Sequence, residues 1–128
     1  MSTIKANTLL HSDGSTTTQP SIPALDKRMA KAWVNFNGTG TVAIRDDYGV
    51  SSITDNGTGL YKVNFSTLMT NGNYVAIVGA ADPNGNPSVE TGAYVYTETN
   101  AKFNIVVNNG SGTAARDRAI VNAIVFDS

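Results

Sequence analysis

No cysteine occurs in the 128 residues, which removes disulfides, thiolate nucleophiles and cysteine-ligated zinc together. That absence leaves the compartment open, since a cysteine-free chain serves inside or outside a cell. Charge is also scarce. Only 15% of residues are charged and the formal net charge is −1, so no basic stripe exists to neutralise a phosphate backbone and nucleic acid is not an expected partner. No apolar run approaches the roughly 20 residues a helix needs to cross a bilayer, so membrane insertion is not expected. The opening, MSTIKANTLLHSDGS, offers only Leu9-Leu10 as a consecutive large apolar pair, far below the core of a secretory leader. The expectation is synthesis in a host cytoplasm without a signal peptide, with release by another route such as lysis.

The tools of catalysis are few. The single histidine, His11, lies in a Ser/Thr-rich stretch, whereas triad or general acid–base chemistry needs positioned partners. Carboxylates are scattered over Asp46, Asp47, Asp55, Asp82, Glu90, Glu98 and Asp117. Adjacent Asp46 and Asp47 point to opposite faces of an extended chain, a poor arrangement for glycoside hydrolysis. TDNGTG (54–59) and DPNGNP (82–87) are rich in oxygen but lack the carboxylate spacing of an EF-hand loop, so they read as tight turns. The G-x-G pieces at Gly38 and Gly57 precede no helix and are turns, not phosphate cradles. Four N-x-S/T sequons begin at Asn37, Asn56, Asn64 and Asn109, a number that abundant Asn, Thr and Ser produce by chance. No enzyme, metal site or cofactor is expected.

What is present is branched and neutral-polar. Val and Ile total 20 against five Leu, while Thr (15) and Asn (14) are plentiful, a composition suited to pleated strands and turns. Asn-Gly occurs at Asn37, Asn56, Asn71, Asn84 and Asn109, each a turn signal. In ITDNGTGLYKVNF (53–65), Tyr61, Val63 and Phe65 alternate with Lys62 and Asn64, the period of a half-buried strand. Asn56-Gly57 tolerates the positive φ of a tight turn, so a hairpin spans 50–66. Strands are expected near 32–37, 41–46, 50–54, 60–66, 74–80, 93–97, 102–108 and 119–126, which together indicate an antiparallel β-sandwich of about six to eight strands. Residues 74–78 and 120–126 are apolar on both faces; such strands lie centrally or have one face covered by another chain.

One domain is the natural prior for this length, with residues 1–31 set apart from a sandwich over 32–128. HSDGSTTTQPSIP (11–23) reads as an extended linker. Pro23 suits the first turn of a short helix, and Ile22, Leu25, Met29 and Ala32 follow helical spacing over about two turns. A helix that short must pack on its own sandwich or pair with copies of itself, and Ile22, Leu25, Met29 and the nearby Trp33 are candidate contacts between chains. Trp33, Phe36, Tyr61, Phe65, Phe103, Ile105, Ile124 and Phe126 are expected in the core or an interface. Ligand-contact candidates fall in the turns at a sandwich end, Asp82–Pro87 and Gly110–Asp117, where recognition loops gather. Asp82, Asn84 and Asn86 represent the first, Arg116 and Asp117 the second. Tyr94 and Tyr96, sharing a strand face with Glu98, add an aromatic-plus-acid surface of the kind that holds sugars.

AKAWVNFNGTGTVAIRDDYGVSSITDNGTGLYKVNF (30–65) resembles a segment of tail-fibre and related virion-surface proteins of tailed bacteriophages, particularly those infecting cyanobacteria and marine bacteria. STIKANTLLHSDGS, TLMTNGNYVAIVGAA and NAIVFDS are similar to other strands of that module, so the resemblance covers most of the chain. It implies an antiparallel β-sandwich, usually a homotrimer, on the virion surface. The expected role is a short tail or head fibre that contacts host polysaccharide, with residues 1–31 holding other virion proteins. A capsid decoration protein and a free sugar-binding lectin are the alternatives.

Overall fold

The computed structural model describes residues 1–16, 18, 21–82 and 91–128, with Thr97 and Glu98 described in backbone only. After a short helix, α1 (Pro23–Asp26), come eight strands: β1 (Ala32–Asn37), β2 (Ala43–Tyr48), β3 (Val50–Asp55), β4 (Leu60–Phe65), β5 (Val75–Ala81), β6 (Thr91–Thr99), β7 (Lys102–Asn109) and β8 (Ile120–Phe126). They form two four-stranded sheets, ordered β2-β1-β8-β5 and β3-β4-β7-β6, with every neighbouring pair antiparallel. The expected all-β sandwich is the observed fold.

Alternation decides what lies between the sheets. Val34 and Phe36 of β1 and Val121, Ala123 and Val125 of β8 point inward from one sheet, against Tyr61, Val63 and Phe65 of β4 and Phe103, Ile105 and Val107 of β7. Rings interlock at the centre: Phe36 meets Tyr61 edge-on at 5.1 Å, and Phe65 meets Tyr74 edge-on at 5.3 Å, geometries that match positive ring edges to negative faces. Phe36, Tyr61, Phe65, Phe103 and Ile105 are therefore core residues, while Ile124 and Phe126 face outward and are half-buried.

Two connections shape the molecule. The 50–66 hairpin forms as expected, with Asp55 accepting from the Gly57 N–H at 2.9 Å and Asn56 N–H reaching Leu60 O at 2.8 Å. One residue, Gly49, carries the chain from β2 in one sheet to β3 in the other. Its φ is +69°, and a Cβ there would lie 2.6 Å from the Lys31 carbonyl oxygen, so only glycine fits this corner.

The N-terminal region departs from expectation in length. α1 has four residues rather than two turns, and Ile22, Leu25 and Met29 are all exposed. A four-residue helix gains one turn of hydrogen bonds and, within this subunit, no core to bury its apolar side chains in.

Candidate functional site

The outer faces of the two sheets differ in chemistry. On the β2-β1-β8-β5 sheet, register aligns Tyr48, Trp33, Ile124 and Ile77 in one row, with Phe126 and Val75 paired beside it. Four of these side chains meet solvent: Ile77 58%, Val75 57%, Tyr48 44% and Trp33 36% exposed. The next row is polar. The Asn35 amide donates to the Asn122 side-chain oxygen, and Arg45 donates to Asn35 and to the Ala119 carbonyl. An apolar band thus crosses all four strands of one face, continuous rather than scattered. The two doubly apolar strands separate here: β8 is central, whereas β5 is the sheet edge with its second face uncovered.

The outer face of the other sheet is mainly polar. Tyr96, Asn104, Lys62 and Thr54 align in one row, and Tyr94, Val106 and Leu60 in the next. Both tyrosines are half-exposed on the edge strand β6, while Asn104 is buried despite lying on an outer face.

The two ends of the sandwich carry different groups. At one end the loops after β1, β3 and β7 converge on Tyr61. Its hydroxyl donates toward Gly38 O at 2.8 Å and toward Asp117 Oδ1 at 2.9 Å, and the same carboxylate oxygen accepts from the Gly59 N–H at 2.7 Å. A Cβ at Gly38 would lie 2.5 Å from that hydroxyl, so this glycine makes room for the tyrosine. Arg118, buried and absent from the sequence-based candidates, donates to Thr91 Oγ1 at 3.0 Å and stands 3.8 Å from the Asp82 carboxylate.

Of the expected ligand-contact residues, Asp82, Arg116 and Asp117 do gather at this end. Asp117 is engaged internally with Tyr61 and Gly59, Asp82 faces Arg118, and Arg116 is exposed. Asn84 and Asn86 lie outside the described residues. Tyr94 and Tyr96 sit on the face of the β3-β4-β7-β6 sheet, away from the loops. Of the expected inter-chain residues, Trp33 lies within the apolar band, while Ile22, Leu25 and Met29 precede it on the exposed α1 region. Lys27, just past α1, lines a groove of about 290 Å³ with Val75 and Phe126, which sets that region beside the band.

At the opposite end an open cleft of about 430 Å³ lies between Lys31, Tyr48, the 66–70 loop and Asp127. Sequence reasoning did not find it. Lys31 and Asp127 are 96 positions apart, and only the pairing of the first strand with the last brings them together. The loop is fixed to its surroundings by Ser66 N–H to Gly49 O at 3.0 Å, Met69 N–H to Asn100 O at 2.8 Å and Thr70 N–H to Asp127 Oδ2 at 2.6 Å. Partial desolvation pushes the Asp127 carboxyl up, but bonds from Thr70 and Ser128 and the Lys31 charge outweigh it and hold the group below its ordinary value.

No helix among the described residues is long and apolar enough to cross a membrane. Searches against protein families, characterised proteins and solved structures find no match to this chain.

Proposed function

We propose that this chain is a structural protein of a tailed-phage virion surface, a short tail or head fibre that assembles as a homotrimer and contacts host-surface polysaccharide without catalysing a reaction. The observation that carries the assembly is the apolar band of Trp33, Val75, Ile77, Ile124 and Phe126 on one sheet face, with Tyr48 at its rim. Water against that band is costly at roughly 25 cal/mol per Å² of apolar surface, and like copies remove it by covering one another. A closed ring satisfies every copy and leaves no open end for filament growth. The number three comes from the resemblance to phage fibre modules.

Residues 1–31 supply the second contact in this reading. Ile4, Leu9 and Leu10 are exposed in the arm, ready to pack on other virion proteins. The same exposed arm supports a second reading, a capsid decoration protein whose arm lies along neighbouring subunits.

Light scattering at micromolar concentration tests the assembly: the expected mass is three times the 13.4 kDa of one chain. A monomer under those conditions would sink it. Electron microscopy of intact particles then separates the readings, with tail placement favouring the host-contact fibre and a regular lattice on the head favouring decoration.

A further inference from the structure

The cleft at the Gly49 end of the sandwich has a particular mixture of walls: Lys31, Tyr48, Thr67, Leu68, Thr70 and Asp127. Among the lining side chains one cation, Lys31, and one carboxylate, Asp127, face the same space, so neither an anion nor a metal ion meets a matching set of side-chain charges there. A single carboxylate also falls far short of the six to eight oxygens that calcium takes. Two apolar surfaces, the half-exposed Tyr48 ring and the exposed Leu68, stand among hydroxyl groups. A purely apolar ligand would strip water from those hydroxyls and the carboxylate without replacing the bonds.

One chemical class answers every wall. A sugar ring presents C–H groups on its faces, which lie against an aromatic ring, and hydroxyls around its rim, each both donor and acceptor. The cleft volume of about 430 Å³ falls within the range of small-molecule sites, roughly 300–1,000 Å³. Its walls are fixed in advance. The Thr70 hydroxyl donates to Ser128 O at 2.9 Å and its N–H to Asp127 at 2.6 Å, so the loop and the C-terminal tail form one unit and little ordering is left to occur on binding.

We infer that this cleft binds a neutral hexose unit of a polysaccharide, with the Tyr48 ring against a C–H face of the sugar, Asp127 accepting from its hydroxyls and Lys31 donating to them. The inference rests on the proposed contact with host polysaccharide and gives that contact a place. Tyr48 stands on the edge strand β2, at the far end of the apolar band from Ile77, so the cleft lies at the rim of the assembly face. Single-site affinity for one sugar unit is weak by nature, and a trimer multiplies it by presenting three copies together.

The test is saturation-transfer NMR on the full chain with glucose, galactose, mannose, rhamnose and N-acetylglucosamine, each at millimolar concentration. The expected result is transfer to at least one of the five, with affinity falling tenfold or more in Tyr48→Ala and several-fold in Asp127→Asn. The paired variant Tyr94→Ala/Tyr96→Ala should bind as the parent does. No transfer to any of the five sugars, or transfer untouched by both cleft variants, overturns the inference. So does loss only in the Tyr94/Tyr96 variant, which would put the sugar on the opposite sheet. Melting curves confirm folding; if Tyr48→Ala does not fold, Asp127→Asn, a change that keeps the side chain's shape, decides. Light scattering on the same samples keeps the two readings apart. A monomer that binds sugar defeats only the assembly, and a trimer that binds none defeats only the cleft.

Discussion

At Tyr61 a single phenolic proton serves two oxygens, the Gly38 carbonyl and an Asp117 carboxylate, at a fully buried position against the Phe36 ring. Burial, the hydrogen bond to Asp117 and the Asp117 and Asp55 charges all resist ionisation, and they hold the hydroxyl well above the ordinary tyrosine value of 10.0. Folding therefore keeps the proton on. The unfolded chain releases it above about pH 10, so the contribution to stability is complete below that pH and is lost as pH rises beyond it. Tyr61→Phe should cost about 1–3 kcal/mol at neutral pH, because a buried carbonyl and a half-buried carboxylate lose their donor. It should also flatten the loss of stability above pH 10, and urea unfolding at pH 7 and pH 11 checks both. Period-two alternation marks Tyr61 as inward, and that much is legible in the sequence. Its reach to Asp117, 56 positions away, is not, because the contact depends on two loops meeting at one end. For the same reason Asp117 resembles a free ligand group in sequence, and Arg118 beside it draws no notice.

Among the elements, the eight strands are nearly all legible within a residue or two, since alternation and Asn-Gly turns are local signals. β2 and β6 differ most, each by two residues at both ends: β2 runs Ala43–Tyr48 against an expected 41–46, and β6 runs Thr91–Thr99 against 93–97. The corner at Gly49 is a different case. The expected strands 41–46 and 50–54 leave a short gap, and only the strand pairing, which is non-local, shows that the chain passes between sheets there. Gly49→Ala must place a Cβ 2.6 Å from the Lys31 carbonyl oxygen at a φ of +69°. The expected loss is about 2–3 kcal/mol, since strain at such a φ adds to the clash. A lower urea midpoint with an unchanged slope would verify it. α1 is shorter than its spacing suggests because Ile22, Leu25 and Met29 match a helical face for which this subunit supplies no cover.

For the whole molecule, the decisive property is the contrast between its two outer faces. That residues 74–78 and 120–126 are apolar on both sides is plain in sequence; which is central and which is edge requires the sheet order. Ile77 stands on the uncovered edge, 58% exposed, and a lysine is tolerated on a lone edge strand but not inside a packed interface. Ile77→Lys should therefore leave subunit stability within about 0.5 kcal/mol while reducing the light-scattering mass to one chain. An unchanged mass would show that copies meet elsewhere. The cleft and the band both depend on the first and last strands lying side by side, which no local pattern announces.

That adjacency has a consequence during synthesis. β8 lies between β1 and β5, so half of the sandwich has no centre until Ile120–Phe126 leave the ribosome. Val34 and Phe36 are made well before their β8 neighbours Ala123 and Val121 and wait for them until β8 is synthesised. A nascent chain of this topology closes its first sheet only once β8 is made, and one cut short before Ile120 is a target for proteolysis rather than a smaller domain.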